Sequence, residues 1–196
     1  MRWIIYLLLS FSLGFGLTNS YADKNNTGPK VGTNAPDFTL EDAEGAEHAL
    51  KKLRGKTVLL IMGNRKIQKE DDKWAAAFRK DYGKSHKGVV AYIVADMRSV
   101  PGFIPKRFIK NQLKKNKPPV ALLLDWNGKV HQAYHTQKQK PNLYLIHPNG
   151  KIAFHIKANF DKKSYGKLKK VVNEIQQSLP VKEKSLSQQD TMEKNP

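Results

Sequence analysis

The sequence predicts an α/β fold, with helices on both faces of a central mixed β-sheet and a β-hairpin near the N-terminus. Three patterns indicate this fold. Residues 58–62 form a continuous apolar run, which is typical of a strand buried on both faces. Residues 161–179 carry apolar side chains at helical spacing along one stripe. Two Asn-Gly pairs, at 127–128 and 149–150, indicate hairpin turns in the second half of the chain.

The first strands follow from local composition. Residues 31–53 have short, irregular apolar spacing interrupted by Gly45, a pattern that predicts a small β-hairpin. The apolar runs at 58–62 and 89–94 predict two buried strands. A helix pattern separates these two runs, and this alternation of strand and helix is what favours an α/β sheet.

Two helices are predicted in the middle of the chain. Asp71 and Asp72 stand where a helix N-terminus favours acidic caps, and Gly83 is expected to end that helix. Pro105 is expected to occupy the first turn of the second helix, with apolar residues facing inward and a basic face pointing outward. The inward set is Phe108, Ile109 and Leu113, and the basic face is Lys106, Arg107, Lys110 and Lys114.

Two hairpins and a last helix complete the predicted domain. The first hairpin pairs residues 120–124 with 129–134, and the second pairs 142–146 with 152–156. Each contains one of the Asn-Gly turns. The amphipathic helix predicted at 161–179 then covers the sheet.

The chain is predicted to contain one domain, at residues 31–179, preceded by a linker at 23–30. Residues 180–196 are polar and lack a periodic apolar pattern, so a disordered tail is expected there.

Residues 1–22 have the features of a signal peptide. Arg2 precedes an apolar stretch, and Ser20-Tyr21-Ala22 places small residues at the cleavage positions. A membrane anchor is the alternative interpretation, but the apolar run is shorter than the roughly 18–20 residues that span a bilayer. The protein is therefore expected to be exported without a transmembrane segment, and to be periplasmic if its source is a Gram-negative bacterium.

The composition excludes thiol chemistry and suggests an anionic partner. The 196 residues include no cysteine, which excludes disulfides, thiolate nucleophiles and thiolate metal ligands within this chain. The formal net charge is +18, and such an excess favours contact with anionic surfaces. The alternative is a lysine bias that serves solubility, because most of the cations are lysine rather than arginine.

Several stretches resemble one superfamily. Residues 32–61, GTNAPDFTLEDAEGAEHALKKLRGKTVLLI, are similar to the opening of peroxiredoxin-type and TlpA-type proteins of the thioredoxin fold, the redoxins. Residues 118–152, PPVALLLDWNGKVHQAYHTQKQKPNLYLIHPNGKI, resemble their later half. Residues 99–128 also resemble YtfJ-like exported proteins, which have this fold without a standard cysteine pair. The resemblance implies a thioredoxin-like fold whose catalytic cysteines are missing.

The resemblance also implies where the active site of a relative would lie. A Cys-x-x-Cys pair would fall near Ile67 to Glu70, and a peroxidatic cysteine near Asp71, with Gln68 at the position of its usual threonine partner. Pro141 aligns with a proline that is cis in the superfamily, so a cis peptide bond is predicted there.

The candidate binding site is this former active-site end. A helix N-terminus with basic residues just upstream favours an anion, although Asp71 and Asp72 already supply negative charge as ordinary caps do. The candidate residues are Asn64, Arg65, Lys66, Gln68, Asp71, Lys140 and Pro141. The basic face on the helix after Pro105 is a second candidate surface, and a solvated face with no partner is its alternative.

No metal or cofactor site is predicted. His131 and His135 are spaced i, i+4, but on the returning arm of a hairpin they would stand roughly 13 Å apart, as exposed residues. Glycine-rich phosphate loops and hydrolase motifs are absent from the sequence. Nucleic acid is an unexpected partner, since aromatic residues are not interleaved with the basic ones.

Three functions remain open from the sequence. The first is an exported binding or accessory protein without thiol redox activity, whose partner is an unidentified protein or an anionic envelope component. The second is a redoxin-type oxidoreductase or antioxidant protein that acts through a partner's cysteine. The third is a basic envelope protein that binds anionic glycans or lipid headgroups.

Overall fold

The computed structural model describes residues 28–83, 86 and 88–179. The predicted signal peptide, most of the predicted linker and the predicted tail lie outside these residues. Seven strands form one sheet in the order β2-β1-β5-β4-β3-β6-β7. The strands are β1 (Thr39–Asp42), β2 (Glu47–Ala49), β3 (Thr57–Asn64), β4 (Val89–Asp96), β5 (Ala121–Asp125), β6 (Asn142–Ile146) and β7 (Ile152–Lys157). The helices are α1 (Gln68–Tyr82), α2 (Lys106–Lys115), α3 (Lys129–Ala133) and α4 (Lys162–Ser178).

Both strand directions occur in the sheet. β3, β4 and β5 run parallel to one another at its centre. β6 pairs antiparallel with β3, and β1 pairs antiparallel with β5. The β1–β2 hairpin confirms the prediction for residues 31–53, and its turn uses Gly45 at φ +94. The β6–β7 hairpin confirms the second predicted pair.

One face of the sheet is covered by α1 and α4. Trp74 and Phe78 of α1 are buried with Leu168 and Val172 of α4 against alternate side chains of β3. Asp161 precedes α4, and its Oδ1 accepts a hydrogen bond from the Ser164 N–H at 2.8 Å. This is an N-cap, and it confirms the helix predicted from the apolar stripe.

The opposite face holds the second half of the core. Val130 and Tyr134, in and just after α3, pack there with Phe38 and with Leu60 of β3. The prediction of a mixed sheet with helices on both faces and an N-terminal hairpin is therefore confirmed. None of the helices within the described residues is long and apolar enough to cross a membrane.

The hairpin predicted at residues 120–134 is wrong. β5 pairs in parallel with β4, and the chain then enters α3 instead of returning as a strand. Gly128 adopts φ +71 and precedes the first turn of α3, where the Lys129 N–H donates to Asn127 Oδ1. Val130 and Tyr134 both face the core. Their i, i+4 spacing places both on one face of a helix, but residues i and i+4 also share one face of a strand, so this spacing did not distinguish the two.

The start of α1 also differs from the prediction. The side chain of Asn64 accepts a hydrogen bond from the Lys66 N–H at 2.9 Å and opens a 3₁₀ turn, Arg65–Ile67, which leads directly into α1 at Gln68. Asp71 therefore lies inside the helix and is buried, so it is not a cap. Asp71 and Asp72 predict a helix start about three residues after Gln68, where α1 begins.

α2 forms where a helix is predicted, but Pro105 precedes its first turn, at ψ 132, instead of occupying it. No residue of α2 is buried. Phe108 was expected to face inward and is instead 55% exposed. Ile109 and Leu113 are half-buried and mark the side that faces the protein. Successive helix residues are rotated by about 100°, and this rotation points Phe108 away from that side.

Candidate functional site

Polar residues end all three parallel strands at the same edge of the sheet. Asn64 ends β3, Asp96 ends β4 and Asp125 ends β5, and the strand register places them side by side. Ligands of α/β proteins bind at the carboxyl ends of parallel strands, because the connecting loops diverge there and leave a crevice. This edge is therefore where a site is expected.

A cleft of about 280 Å³ opens at this edge. Its walls come from the end of β3, the end of β4 and the loop before β6. The lining residues are Asn64, Lys66, Asp96, Arg98, Ser99 and Lys138. Three of these six side chains are cations and one is an anion, so the wall of the cleft has an excess of positive charge.

Asn64 joins two walls of the cleft. Its Oδ1 accepts from the Lys66 N–H, and its Nδ2 donates to the Lys138 carbonyl at 2.9 Å. The two lysines are therefore held on backbone segments that are fixed to the same side chain. Asn142 fixes the rest of the loop, since its amide donates to the carbonyls of Gln137 and Lys140.

Arg98 neutralises the single acid in the cleft wall. It donates through Nε to Asp96 Oδ1 at 2.9 Å and through Nη2 to Oδ2 at 2.6 Å. Burial alone would raise the pKa of Asp96, but the hydrogen bonds from Arg98 outweigh it and hold that pKa below its usual value. Arg98 also lies directly over Gly128, where a β-carbon would overlap the guanidinium.

A buried hydrogen-bonded pair, His131 and Asp125, lies behind the cleft. His131 is 3% exposed, and its Nδ1 lies 2.8 Å from Asp125 Oδ2 while its Nε2 lies 3.2 Å from the Gly63 carbonyl. The ring therefore connects the end of β5 to the end of β3 through two acceptor groups, the Asp125 carboxylate and the Gly63 carbonyl. Burial would raise the pKa of Asp125, but the hydrogen bonds from His131 lower it.

The expectation that His131 is an exposed residue on a strand is therefore wrong. It lies in α3, and it is buried because it pairs with Asp125. His135 follows α3 at φ +49 and is half-buried. Within residues 28–83, 86 and 88–179, no group of three His, Asp or Glu side chains is placed to hold a metal ion.

Asp71 is a buried carboxyl with no ion-pair partner among the described residues. It is 2% exposed, and its Oδ1 has no hydrogen-bond partner in the described part of the chain. Burial raises the pKa of Asp71 to about 8, and the charges of Asp72 and Glu70 add to the effect. The group is therefore mostly protonated at neutral pH.

Asp71 packs against the backbone of Gly63, next to the cleft residue Asn64. A β-carbon at position 63 would overlap the carboxyl group of Asp71. Gly63→Ala is therefore expected to lower the free energy of unfolding by about 1–3 kcal/mol, the usual cost of an overpacked core. Urea denaturation measures this, with Gly102→Ala as control, since Gly102 lies outside the helices and a β-carbon there meets no atom within 4 Å. An unchanged midpoint for Gly63→Ala would contradict the contact.

The predicted site residues are only partly brought together. Asn64 and Lys66 line the cleft, whereas Arg65 and Gln68 are exposed on the turn beside it. Asp71 is buried beneath the site. The sequence did not indicate Arg98, Ser99 and Lys138, which complete the cleft. The available signal was Asp96 and Asp125, each of which follows an apolar run as Asn64 does.

The predicted cis peptide bond at Pro141 is wrong, because the described residues contain only trans peptide bonds. Trans is the intrinsic preference of an X-Pro bond by about 0.5–1 kcal/mol. Pro141 itself is buried, and Lys140 beside it is exposed. The loop therefore reaches the site edge with Lys138 as its residue in the cleft wall.

Two residues of the predicted basic face of α2 contact other side chains of the protein. Lys110 pairs with Glu41 of β1, and the Lys106 Nζ lies 5.2 Å from the centre of the Trp126 ring. Arg107 and Lys114 are exposed and make no ion pair with a described residue.

Sequence comparison places the chain among redoxins. The model of the AhpC/TSA family matches residues 31–155. The thiol-disulfide oxidoreductase ResA of Bacillus cereus is 29% identical over 158 residues, which are 80% of this chain and 86% of that protein. ResA of Geobacillus thermodenitrificans is 48% identical over 61 residues, 31% of this chain and about a third (34%) of that protein.

Solved structures with the same fold are also described as thiol proteins. A Chlorobium tepidum structure described as the thiol:disulfide interchange protein DsbE has a TM-score of 0.60 at 19% identity, covering 75% of this chain and 98% of that one. The exposed lipoprotein thioredoxin of Streptococcus pneumoniae has a TM-score of 0.56 at 20% identity, covering 70% and 99%. At these identities the likeness establishes a thioredoxin-like fold.

Proposed function

The chain belongs to the AhpC/TSA family, and because it contains no cysteine, we propose that it is an exported binding or accessory protein without thiol redox activity. Its binding site is the cleft at the former active-site end, and the ligand is an anionic group on a partner. The resemblance of residues 99–128 to YtfJ-like exported proteins supports this proposal, since those proteins also lack a standard cysteine pair.

One observation carries the choice of an anionic ligand. Lys66 and Lys138 line the cleft, and neither forms an ion pair with a carboxylate of the described residues. Arg98 has already neutralised Asp96, so two uncompensated positive charges remain. A carboxylate or phosphate held between two ammonium groups gains charge-assisted hydrogen bonds from both.

Export is part of this proposal. Residues 1–22 have the charge, apolar run and small residues of a signal peptide. In a Gram-negative source the protein would then act in the periplasm. The name of the pneumococcal exposed lipoprotein thioredoxin describes a location outside the cytoplasm for a protein of this fold.

The test is recovery of partners by cross-linking in the compartment where the protein accumulates. Lys66→Glu/Lys138→Glu reverses both uncompensated charges and is expected to lose the partners that the wild type recovers, because an acidic cleft repels an anion. Lys163→Glu/Lys167→Glu makes the same charge change on the exposed side of α4 and serves as the matched control. Equal recovery by wild type and by both variants would contradict the cleft as the binding site.

A redoxin-type enzyme is the second candidate, and the names of the relatives favour it. The purified chain alone is expected neither to consume hydrogen peroxide nor to reduce insulin disulfides, since both reactions need a thiolate that it does not contain. The assay uses ResA of Bacillus cereus as positive control for disulfide reduction. Turnover by the purified chain above the buffer rate would overturn the proposal of a protein without redox activity.

A further inference from the structure

The segment from Ser99 to the end of α2 presents apolar rings to solvent. Phe103 is 86% exposed and Phe108 is 55% exposed, and they are two of the three exposed large hydrophobic residues in the described part of the chain. Exposed aromatic side chains that lie within one short segment are typical of an interaction surface. Because α2 buries no residue, the core does not account for them.

The same side of α2 carries cations. At about 100° per residue, Phe108 shares the exposed side with Lys115, and Arg107 and Lys114 border it. The whole helix has no acidic residue. Arg107, Lys114 and Lys115 form no ion pair with any described carboxylate, so their charges remain available to a partner.

Two other cations anchor the helix instead. Lys110 pairs with Glu41 of β1, and the Lys106 ammonium lies over the Trp126 ring. These contacts hold the inner side of α2 on the domain, near β1 and β5. The helix is therefore fixed with its aromatic and basic side outward.

We propose that this outward side docks on an anionic bilayer surface, with Phe103 and Phe108 in the headgroup region and Arg107, Lys114 and Lys115 against acidic lipids. Aromatic rings are favoured at the membrane–water interface. Amphipathic helices with basic polar faces lie in that interface, and each cation near an anionic surface strengthens the binding. A protein partner would have to supply a groove for two protruding rings, whereas a bilayer accepts a convex surface.

Docking would place the cleft beside the membrane. Ser99 lines the cleft and begins the segment that leads to Phe103. An anionic partner at the bilayer surface would then lie close to the cleft. The membrane proposal does not depend on the cleft, because it rests on the exposure and charge of residues 102–115.

The absence of cysteine gives a position-specific test in the full chain. Gly102→Cys and Gly166→Cys each place a β-carbon in open space, so each accepts an environment-sensitive fluorophore without disturbing the fold. With vesicles of phosphatidylcholine containing roughly one third phosphatidylglycerol, the label at 102 is expected to shift its emission to shorter wavelength. The label at 166, on α4, is expected to stay unchanged. Pure phosphatidylcholine vesicles are the lipid control.

Substitutions separate the contribution of the cations from that of the aromatic rings. Arg107→Glu/Lys114→Glu/Lys115→Glu is expected to weaken partitioning of the Gly102→Cys protein into the anionic vesicles by on the order of 100-fold or more. Phe103→Ala/Phe108→Ala is expected to weaken it by at least about 10-fold. Lys162→Glu/Lys163→Glu/Lys167→Glu is the matched control for charge and is expected to change partitioning only by a small uniform charge effect. Val31→Ala, at another exposed large hydrophobic residue, is the control for the phenylalanines and is expected to leave partitioning unchanged.

Three results would overturn the proposal. The first is no emission shift at position 102 with anionic vesicles. The second is an equal loss of partitioning for charge reversal on α2 and on α4, which would mean that net charge alone is responsible. The third is a shift at 102 that requires a soluble acidic protein and does not occur with vesicles. Circular dichroism spectra identical to wild type establish that each variant is folded.

Discussion

Asp71→Asn is expected to stabilise the protein by on the order of 2–4 kcal/mol at pH 7. In the folded chain the carboxyl is buried, and burial raises its pKa to about 8 from an ordinary value of 3.8. Each unit of difference corresponds to about 1.36 kcal/mol, and part of the gain is offset because the buried asparagine leaves an N–H unpaired. Urea denaturation followed by circular dichroism measures the change.

The pH dependence of this effect identifies its cause. Below about pH 4 Asp71 is protonated in both the folded and the unfolded chain, so its ionisation does not lower the free energy of unfolding. Between about pH 4 and 8 the unfolded chain releases the proton while the folded chain retains it, so stability falls as the pH rises. The advantage of Asp71→Asn is thus expected to vanish at pH 4 and to be largest at pH 8. Glu44→Gln, at an exposed carboxyl, is the control. A constant difference across this range would contradict a protonated Asp71.

His131→Ala is expected to destabilise the protein by about 3–5 kcal/mol at pH 7. The substitution removes the hydrogen bonds to Asp125 and to the Gly63 carbonyl and leaves the Asp125 carboxylate buried without its partner. The pKa of Asp125 is held below 3.8 in the folded state. Its contribution to stability is therefore present above about pH 4 and is lost as the pH falls through the lower, folded value.

A double-mutant cycle measures the coupling between His131 and Asp125 directly. In the background of Asp125→Asn, His131→Ala should cost clearly less than in the wild type, since no carboxylate remains to be stranded. Equal costs in the two backgrounds would show that the imidazole contributes only packing. His135→Ala is the control, because that half-buried ring forms no hydrogen bond with a described residue.

The elements that the sequence predicted well are those with a complete local pattern. A local sequence pattern is enough to predict each of three elements: the apolar run of β3, the apolar stripe of α4 and the turn between β6 and β7. The prediction for the region after β5 was wrong because an Asn-Gly pair precedes a helix here. The pair alone does not distinguish a hairpin turn from the start of a helix. The i, i+4 spacing of Val130 and Tyr134 fits one face of a helix and one face of a strand, so it did not distinguish them either.

The candidate site was only half predictable, for a topological reason. Asn64 and Lys66 follow a strand whose position was clear from the sequence. Lys138 is held beside them by a hydrogen bond that joins residues 74 positions apart in the chain. Arg98 follows Asp96 at the end of β4. Only the register of β3, β4 and β5 brings these residues to one edge, and no local pattern specifies that register.

The absence of cysteine was visible in the sequence, but the environment of Asp71 was not. Asp71 was interpreted as a helix cap and is instead a buried, protonated carboxyl against Gly63. A buried carboxyl without an ion-pair partner costs stability, and groups of this kind cluster at functional sites.

A single cross-linking measurement tests the central claim that the cleft binds an anionic partner. Ser99 lines the cleft and is exposed, and Ser99→Cys is a conservative change that creates the only thiol in the chain. A photo-activated cross-linker on that thiol is expected to capture a discrete partner in the native compartment, and Lys66→Glu/Lys138→Glu should abolish the capture. The same products from Gly166→Cys, or undiminished capture after charge reversal, would contradict it.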